Sequence, residues 1–544
     1  MSSLNQAAKG AVYTSILQAV LRLSTFVLNA VILRYISLEV LGVVNMRLML
    51  LYNTVLFLSR EPIRKACLSR LSEGRNWTLI FNLSWISVPI GMCCCLALGL
   101  LWLSPSIMAQ PDDGSSYTKG VMLFCVATLL ELLTEPLWIL GQAHQYVTTK
   151  VLVEGASQLC KCVFTVIMVM WFPHWGVTAL SIANLSYSIV YLFSYYGYFY
   201  YHLWLNKTLP INRLQDIFPK AIPGQPSLDA KLRDLALSFC TQSFLKQLLT
   251  DGEKYIITYF NFLTFAMQGV YDTINNLGSL VPRFIFQPIE ENFSIYFANS
   301  LYRGKPANEQ PEKEVKVAAE ILARLLKLVI LVAMIILVFG YSYSFLLLDI
   351  YGGQKLTSGD GHKLLRVYCL YILFLAVNGI TEGFMFAVMS QEHVDRHNRW
   401  LVVFSVLYLM ASFVLTWLCG STGLILANCV NMAIRIICSI LFINNFFSTT
   451  PFNLLKDCIP SKWLNITFII IWIATALSEV YISSGQGWMW RLVHVGVGLV
   501  CLCWLLLMIL FLEQELCQFI YQRLPKRITS KMDFIMKYFF VIQR

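Results

Sequence analysis

Residues 17–71 read LQAVLRLSTFVLNAVILRYISLEVLGVVNMRLMLLYNTVLFLSREPIRKACLSRL. They hold most of two apolar runs, 11–35 and 41–60, standing back to back with only a short turn between them. Roughly 20 apolar residues carry a helix across the hydrocarbon layer, so each run is long enough to span. The first run lacks a small-residue cleavage site and a second run follows at once, so it is expected to be a retained span rather than a signal peptide.

The same pattern fills the chain. Hydrophobic residues make up 57% of its 544 residues and charged residues only 13%. So few charges cannot cover a water-soluble surface. About fourteen apolar runs are long enough to span. After the first two they lie at 77–103, 120–141, 151–172 and 176–204, at 235–262, 265–287, 318–348 and 364–390, and at 399–419, 423–445, 463–483 and 488–512. The expected fold class is an all-α polytopic membrane protein with about 14 transmembrane helices. The seventh run carries the charges of KQLLTDGEKY, and the sixth and ninth are long.

The net charge of +11 is distributed as a topology signal. Arg60, Arg64, Lys65, Arg70 and Arg75 follow span two, and Lys207, Arg213, Lys220, Lys231 and Arg233 follow span six. Cations also crowd the connection after span eight and the C-terminal tail. The alternate connections SLEV, FPHWG, NFLT, CGSTG and SSGQG have none. Both termini are therefore expected in the cytosol. GGQKLTSGDGHK is the exception, with two lysines on the opposite side. No clustered basic reading face exists, so no nucleic-acid partner is expected. The sequons at Asn76, Asn82, Asn184, Asn206, Asn292 and Asn465 fall in spans or on the cytosolic side, and no N-glycan is expected.

Two hydrophilic segments, 205–234 and 289–317, punctuate the chain. The expected organisation is an N-lobe of helices 1–6 at 1–204 and a cytosolic linker at 205–234. A C-lobe of helices 7–12 follows at 235–445 with a cytosolic loop at 289–317, then helices 13–14 at 446–512 and a cytosolic tail at 513–544. A faint repeat supports the two lobes. Span two begins Gly42-Val43 and ends Arg60-Glu61-Pro62-Ile63, while span eight begins Gly269-Val270 and ends Phe286-Gln287-Pro288-Ile289. Span four carries Glu135 then Gln142, and span ten carries Glu382 then Gln391. Both matches shift by six helices, as in transporters built from duplicated units.

Polar residues recur at helical spacing inside the spans. Span one has Gln18, Arg22, Thr25 and Asn29, and span eight has Gln268, Asp272, Asn275, Ser279 and Arg283. Spans four, five and twelve carry Glu131, Glu135, Trp138 and Gln142, then Glu154, Gln158 and Lys161, and Asn428, Asn431 and Arg435. Residues so spaced share a face. A charge at mid-membrane costs roughly 2.5–3.5 kcal/mol, so these groups should face protein or water. A structural pair such as Glu154 with Lys161 accounts for a single stripe; a shared aqueous cavity accounts for all five. Cations are in excess there: Arg22 and Arg47 on the first two spans, with Arg60, Arg64 and Lys65 at the cytosolic mouth. Planar guanidinium groups hold phosphate oxygens in a two-pronged way, which favours an anionic, phosphorylated substrate.

Enzyme chemistry finds little footing. There is no G-x-x-x-x-G-K-[ST], so the chain cannot drive itself with ATP. Asp112-Asp113 has no catalytic partner in sequence reach, and EHVDRH at His393 and His397 is not a zinc helix motif. The 16 cysteines lie mostly in apolar runs and include no CxxC. No catalytic residue, metal or cofactor is expected.

The segment 17–71 closely resembles the eukaryotic dolichol-linked oligosaccharide translocation family of the endoplasmic reticulum, within the multidrug/oligosaccharidyl-lipid/polysaccharide exporter superfamily. The resemblance implies two six-helix lobes in a V plus two C-terminal helices, open to one side at a time. It implies a flippase moving a dolichyl-diphosphate-linked oligosaccharide from the cytosolic to the luminal leaflet for N-glycosylation. Arg22 sits where a span-one arginine lies in bacterial lipid-linked-precursor flippases, and Glu61 matches an acid at the end of span two. On span eight the expected cation is displaced to Arg283. The diphosphate and sugars are thus expected to meet Arg22, Arg47, Arg64, Lys65, Arg283, Gln18 and Asn29. Gating or lobe contacts are assigned to Glu61, Glu135, Glu382 and Asp272, because like charge repels phosphate. The expected partners are the lipid-linked oligosaccharide, the bilayer and enzymes of the N-glycosylation pathway. Two alternatives stand beside this reading: an accessory glycolipid-binding protein of the same pathway, and an ion-coupled small-molecule exporter of the same fold.

Overall fold

The computed structural model describes Ser24 and residues 26–523, apart from residues 70–75, 108, 145, 206–209, 212, 222–225, 227, 453 and 484–486. Every regular element among the described residues is helical. Ten helices are long and apolar enough to cross a membrane, or eleven if the bent pair Gly114–Leu132 and Glu135–Ala143 is one span. The expected fourteen is therefore not reached by this measure, for three physical reasons. Only Phe26–Tyr35 of span one qualifies as a shorter apolar helix among the described residues. Span seven, Ala230–Phe260, holds too many charges, and span eight breaks into Phe265–Gly278, a π-helical turn at Pro282–Phe286, and Gln287–Ser300.

Caps and breaks sit where local chemistry places them. Asn76 accepts from Thr78 N–H and Asp229 from Lys231 and Leu232 N–H, satisfying first-turn donors. Span seven ends at Asn261, whose φ of 51° is left-handed, a conformation Asn tolerates. Span four bends by 42° just before Pro136, whose ring removes a backbone donor.

The chain packs as two compact units. The first comprises Met1–Thr273 with Tyr351–Lys355 and Leu409–Leu424; the second comprises Ile274–Ile350, Leu356–Tyr408 and Ile425–Arg544. In the first, spans two to six enclose a core that includes Phe81, Leu137, Tyr191, Tyr195 and Phe199. The expected linker is stitched onto span three. Asn82 donates to Lys220 O at 2.8 Å and accepts from Lys220 N–H at 3.0 Å, and Trp85 Nε1 donates to Ile217 O at 2.8 Å. The carboxamide of one sequon is thus buried and in use, and Asn184, which belongs to another, is also buried.

Lys355 explains half of the charge exception. Its ammonium donates to Leu33 O, Arg34 O and Ile36 O at 2.8–3.1 Å, closing the C-terminal end of span one. Burial there pulls the ammonium below the usual lysine value. Lys363 is neutralised by Asp360 at 2.8 Å.

In the second unit, the segment expected as a cytosolic loop at 289–317 begins as helix. Gln287–Ser300 packs along span ten, Gly361–Val388, with Phe297 on Phe384 at 5.0 Å and Ser294 Oγ donating to Gly383 O. The periodicity of SIYFANS was masked by flanking charges. The C-terminal pair, Lys462–Ile482 and Trp488–Leu512, is fastened to the rest of the unit at several heights. Arg366 of span ten grips Glu479 with paired contacts at 2.6 and 2.8 Å, Arg491 meets Asp349 at 2.6 Å, and Lys327 meets Glu513 at 3.0 Å. Between these ties Leu331, Val338, Phe468 and Leu505 interlock. In lipid such contacts act through close packing rather than exclusion of water.

Candidate functional site

In the first unit, the cations at the end of span two meet the acids of span four. Arg64 holds Glu135 in a two-pronged pair, Nε to Oε2 at 2.7 Å and Nη2 to Oε1 at 2.6 Å. Its guanidinium lies 3.5 Å from the Trp138 ring centroid. Arg60 pairs with Glu131 and stands 3.7 Å from Glu135, while Tyr52 OH donates to Glu131. Both carboxylates are almost fully buried. Arg64 and Glu135 were expected in separate roles, one on substrate and one on lobe movement. The structure joins them, because the turn before Pro136 aims Glu135 at span two.

The remaining expectations land unevenly. Gln18 and Arg22 lie outside the described residues. Asn29 is half-buried on span one. Lys65 stands 3.8 Å from Glu61, both partly exposed at the end of span two. Arg47, expected on the diphosphate, is the most deeply buried of these residues. It is fully buried, with Nη1 donating to Ala109 O, Nη2 to Asn261 Oδ1 at 3.0 Å, and the Phe265 ring 4.5 Å away. The physical reason is a π-helical stretch, Gly42–Leu48, in which Met49 N–H reaches back to Val44 O. One residue inserted into a helical turn rotates the following face by roughly 100°, so ordinary spacing misplaces Arg47. Asp272 accepts from Asn45 Nδ2 at 2.9 Å. The Glu154–Lys161 pair offered for span five does not form; Lys161 donates to Asn184 Oδ1 at 2.8 Å instead.

In the second unit Glu382 is satisfied from span twelve. Arg435 Nε donates to Oε1 at 3.2 Å and Nη2 to Oε2, and Asn378 Nδ2 adds a bond at 2.9 Å. Arg283, beside the π-helical turn of span eight, is exposed, and no partner of its guanidinium is found among the described residues. An exposed, unpaired guanidinium within a span is the group here best suited to an external anion. The sequence reading passed over a tyrosine ladder on span six, Tyr187, Tyr191 and Tyr195, with successive rings 5.8 and 4.9 Å apart. Its four-residue period was the signal.

The groups weighed for chemistry have local partners. Asp113 accepts from Ser116 N–H at 3.2 Å at the head of span four, and the hydrogen bonds from Ser116 hold its carboxyl below the usual range. His393 Nδ1 meets Ser390 Oγ at 2.6 Å. No cluster of metal-ligating side chains occurs among the described residues.

Residues 6–523 match the family model described as Rft protein. The chain belongs to the Rft family. This Rft chain is 44% identical over 535 residues to the mouse Man(5)GlcNAc(2)-PP-dolichol translocation protein RFT1, covering 97% of this chain and 99% of its relative. The protein of the same name from Xenopus tropicalis is 43% identical over 532 residues, at 97% and 98% coverage. Among solved structures, the Rft chain shares its fold with the lipid II flippase MurJ in an inward closed conformation. That match has a TM-score of 0.59 and 12% identity, over 92% of this chain and 99% of the other. The all-helical membrane-protein architecture expected from the sequence is thereby shown.

Proposed function

We propose that this Rft chain moves a dolichyl-diphosphate-linked oligosaccharide from the cytosolic to the luminal leaflet of the endoplasmic reticulum, where it serves N-glycosylation. The observation that carries this reading is the near full-length relationship to proteins named for translocation of that lipid. The MurJ-like fold supports it, since a polar head group crosses an apolar core only when its lost water is replaced by partners.

No covalent step is involved. The diphosphate is held by cations: Arg283 first, as an exposed group with no partner among the described residues, with Lys65 and Arg22 as the further cations assigned to it. Asn29 and Gln18 serve the sugars. Arg64 is oriented by Glu135 and stacked on Trp138, so Glu135 sets its geometry rather than touching phosphate. Glu382 plays the same anchoring part for Arg435. Both termini and the 289–317 segment face the cytosol in this reading. Helices 1–6 at 1–204 and helices 7–12 at 235–445 act as lobes, joined by 205–234, with helices 13–14 at 446–512 and the tail 513–544 appended.

The test uses full-length protein purified into liposomes with a water-soluble-chain analogue of the lipid-linked oligosaccharide. Transport predicts that the sugar becomes inaccessible to an external lectin at a rate set by protein content, and that Arg283→Gln slows it. Tight binding without any such movement would replace transport by the accessory role.

A further inference from the structure

In the second unit the charges of span nine stop at Lys327 and resume only at Asp349. Span thirteen starts at Lys462 and span fourteen ends at Leu512. These three ends lie level with one another. Lys327 Nζ donates to Glu513 Oε2 at 3.0 Å, and Glu513 Oε1 accepts from Ser461 N–H at 2.9 Å. Trp463, on the first turn of span thirteen, is 70% exposed, as tryptophans at a membrane–water boundary are. The level is therefore that of lipid headgroups. Beside these ends lies a cavity of about 560 Å³, within the roughly 300–1,000 Å³ usual for small-ligand sites. Its walls are the first turns of span nine, residues 450–457 and the helix Gln514–Arg523.

The lining carries both signs of charge. Lys316, Arg324 and Lys456 stand with Glu320, Asp457 and Glu515, while Lys327 is taken up by Glu513. Two of the cations are loosely engaged: Lys316 meets Glu312 where both are exposed, and Arg324 stands 3.5 Å from Glu320. Exposed pairs of this kind contribute little, so they yield readily to a ligand. Phe519 supports Arg324 from one side, its ring centroid 5.5 Å from the guanidinium carbon. A simple anion would meet three carboxylates here, and a simple cation three cations. A ligand with a phosphate and an ammonium a few bonds apart suits both halves. Phe452 is the one aromatic side chain lining the cavity among the described residues, so a quaternary amine finds no aromatic cage. A primary ammonium, by contrast, has three donors for the carboxylates. We propose that this cavity binds the headgroup of an ethanolamine phospholipid, its phosphate on Lys316, Arg324 and Lys456 and its ammonium on Glu320, Asp457 and Glu515. The acyl chains lie in the adjoining apolar layer. The bound lipid joins span nine to the entry of span thirteen and the exit of span fourteen. The site stands apart from the transport reading.

The test is native mass spectrometry of full-length, delipidated protein in detergent, titrated with dioleoyl phosphatidylethanolamine, phosphatidylcholine or phosphatidylglycerol. The first lipid should occupy one site at about tenfold lower concentration than either of the others, the margin expected when a charged hydrogen-bonding partner is lost. Equal occupancy by all three, or a preference for the choline or glycerol lipid, overturns the proposal. Asp457→Asn with Glu515→Gln removes two acids from exposed positions and leaves the three cations. It should reverse the order, so that phosphatidylglycerol binds more tightly than phosphatidylethanolamine, an outcome that damage to the fold would not give. Lys316→Gln with Lys456→Gln, both also exposed, should weaken both lipids together. Should the acid double variant fail to accumulate, Glu515→Gln alone decides, by narrowing the margin between the two lipids. An order unchanged by the acid substitutions, or affinities unchanged by the lysine ones, overturns the assignment. Glycerophosphoethanolamine, which has the headgroup and no chains, separates a lipid from a soluble ligand. It should displace the lipid only in large excess, and displacement at equal concentration overturns the lipid as occupant.

Discussion

The two units keep the same acid and solve its charge differently. Glu135 on span four and Glu382 on span ten are the acids that the sequence pattern pairs across the expected repeat. Glu135 takes its arginine from span two, and a second arginine, Arg60, stands beside it. Glu382 takes its arginine from span twelve. The consequence falls on the other helix of each pair. Span two has its cations tied to acids at its end, whereas span eight is left with Arg283 exposed and without a partner among the described residues. One set of charges thus holds helices together while another is left exposed, and the difference lies in which helix supplies the partner.

The comparison breaks most sharply if Glu135 is neutralised. Glu135→Gln strands Arg64 without its partner and should destabilise the first unit by about 3–5 kcal/mol, read as a lowered melting temperature of the purified protein. Adding Arg64→Gln should recover much of that loss. If the double change is no more stable than the single one, the pair does not anchor span four. Glu382→Gln should cost less, about 2–3 kcal/mol, because Arg435 is the only arginine joined to it among the described residues and is a quarter exposed. Equal losses at the two acids would erase the asymmetry.

Arg283→Gln sharpens the contrast from the other side. Its stability should stay within about 0.5 kcal/mol of the parent, since no partner is lost. Its support of N-glycosylation in cells lacking the endogenous protein should nevertheless fall, at unchanged protein abundance. Arg64→Gln should show the reverse order, losing abundance first. The smallest effects separate the two lysines of the exceptional connection. Lys355→Gln removes a donor from three carbonyls and should cost about 1–3 kcal/mol, while Lys363→Gln, in an exposed pair, should stay within about 0.5 kcal/mol. Equal thermal shifts would mean that Lys355 does not close span one.

Hydropathy made the membrane class and most of the spans legible, because a run of apolar residues has one cheap solution in lipid. Gly42 and Gly269, singled out in the sequence, do meet at a helix crossing, where a Cβ could not be added without moving the backbone. What stayed hidden was angular. The face of Arg47 depends on a π-helical stretch that no spacing rule anticipates, and Lys161 chose Asn184 on another helix over Glu154 on its own. Charge counts marked Lys355 as an anomaly but could not reveal that carbonyls at the end of span one would absorb it. The helix over Gln287–Ser300 was lost for a further reason, since its polar face looked like a loop when judged by composition alone.

The ties of the C-terminal pair also set an order in time. Asp349 and Arg366 emerge from the ribosome well before Arg491 and Glu479 exist to receive them. Until synthesis is nearly finished, Asp349 and Arg366, at the ends of spans nine and ten, lack the ion-pair partners that they have in the finished protein. The nascent second unit is thus a natural client for membrane chaperones, and a chain stopped short of Glu479 keeps that lack permanently. Such truncated chains should decay faster in a pulse-chase than full-length protein, with Arg366→Leu slowing their loss.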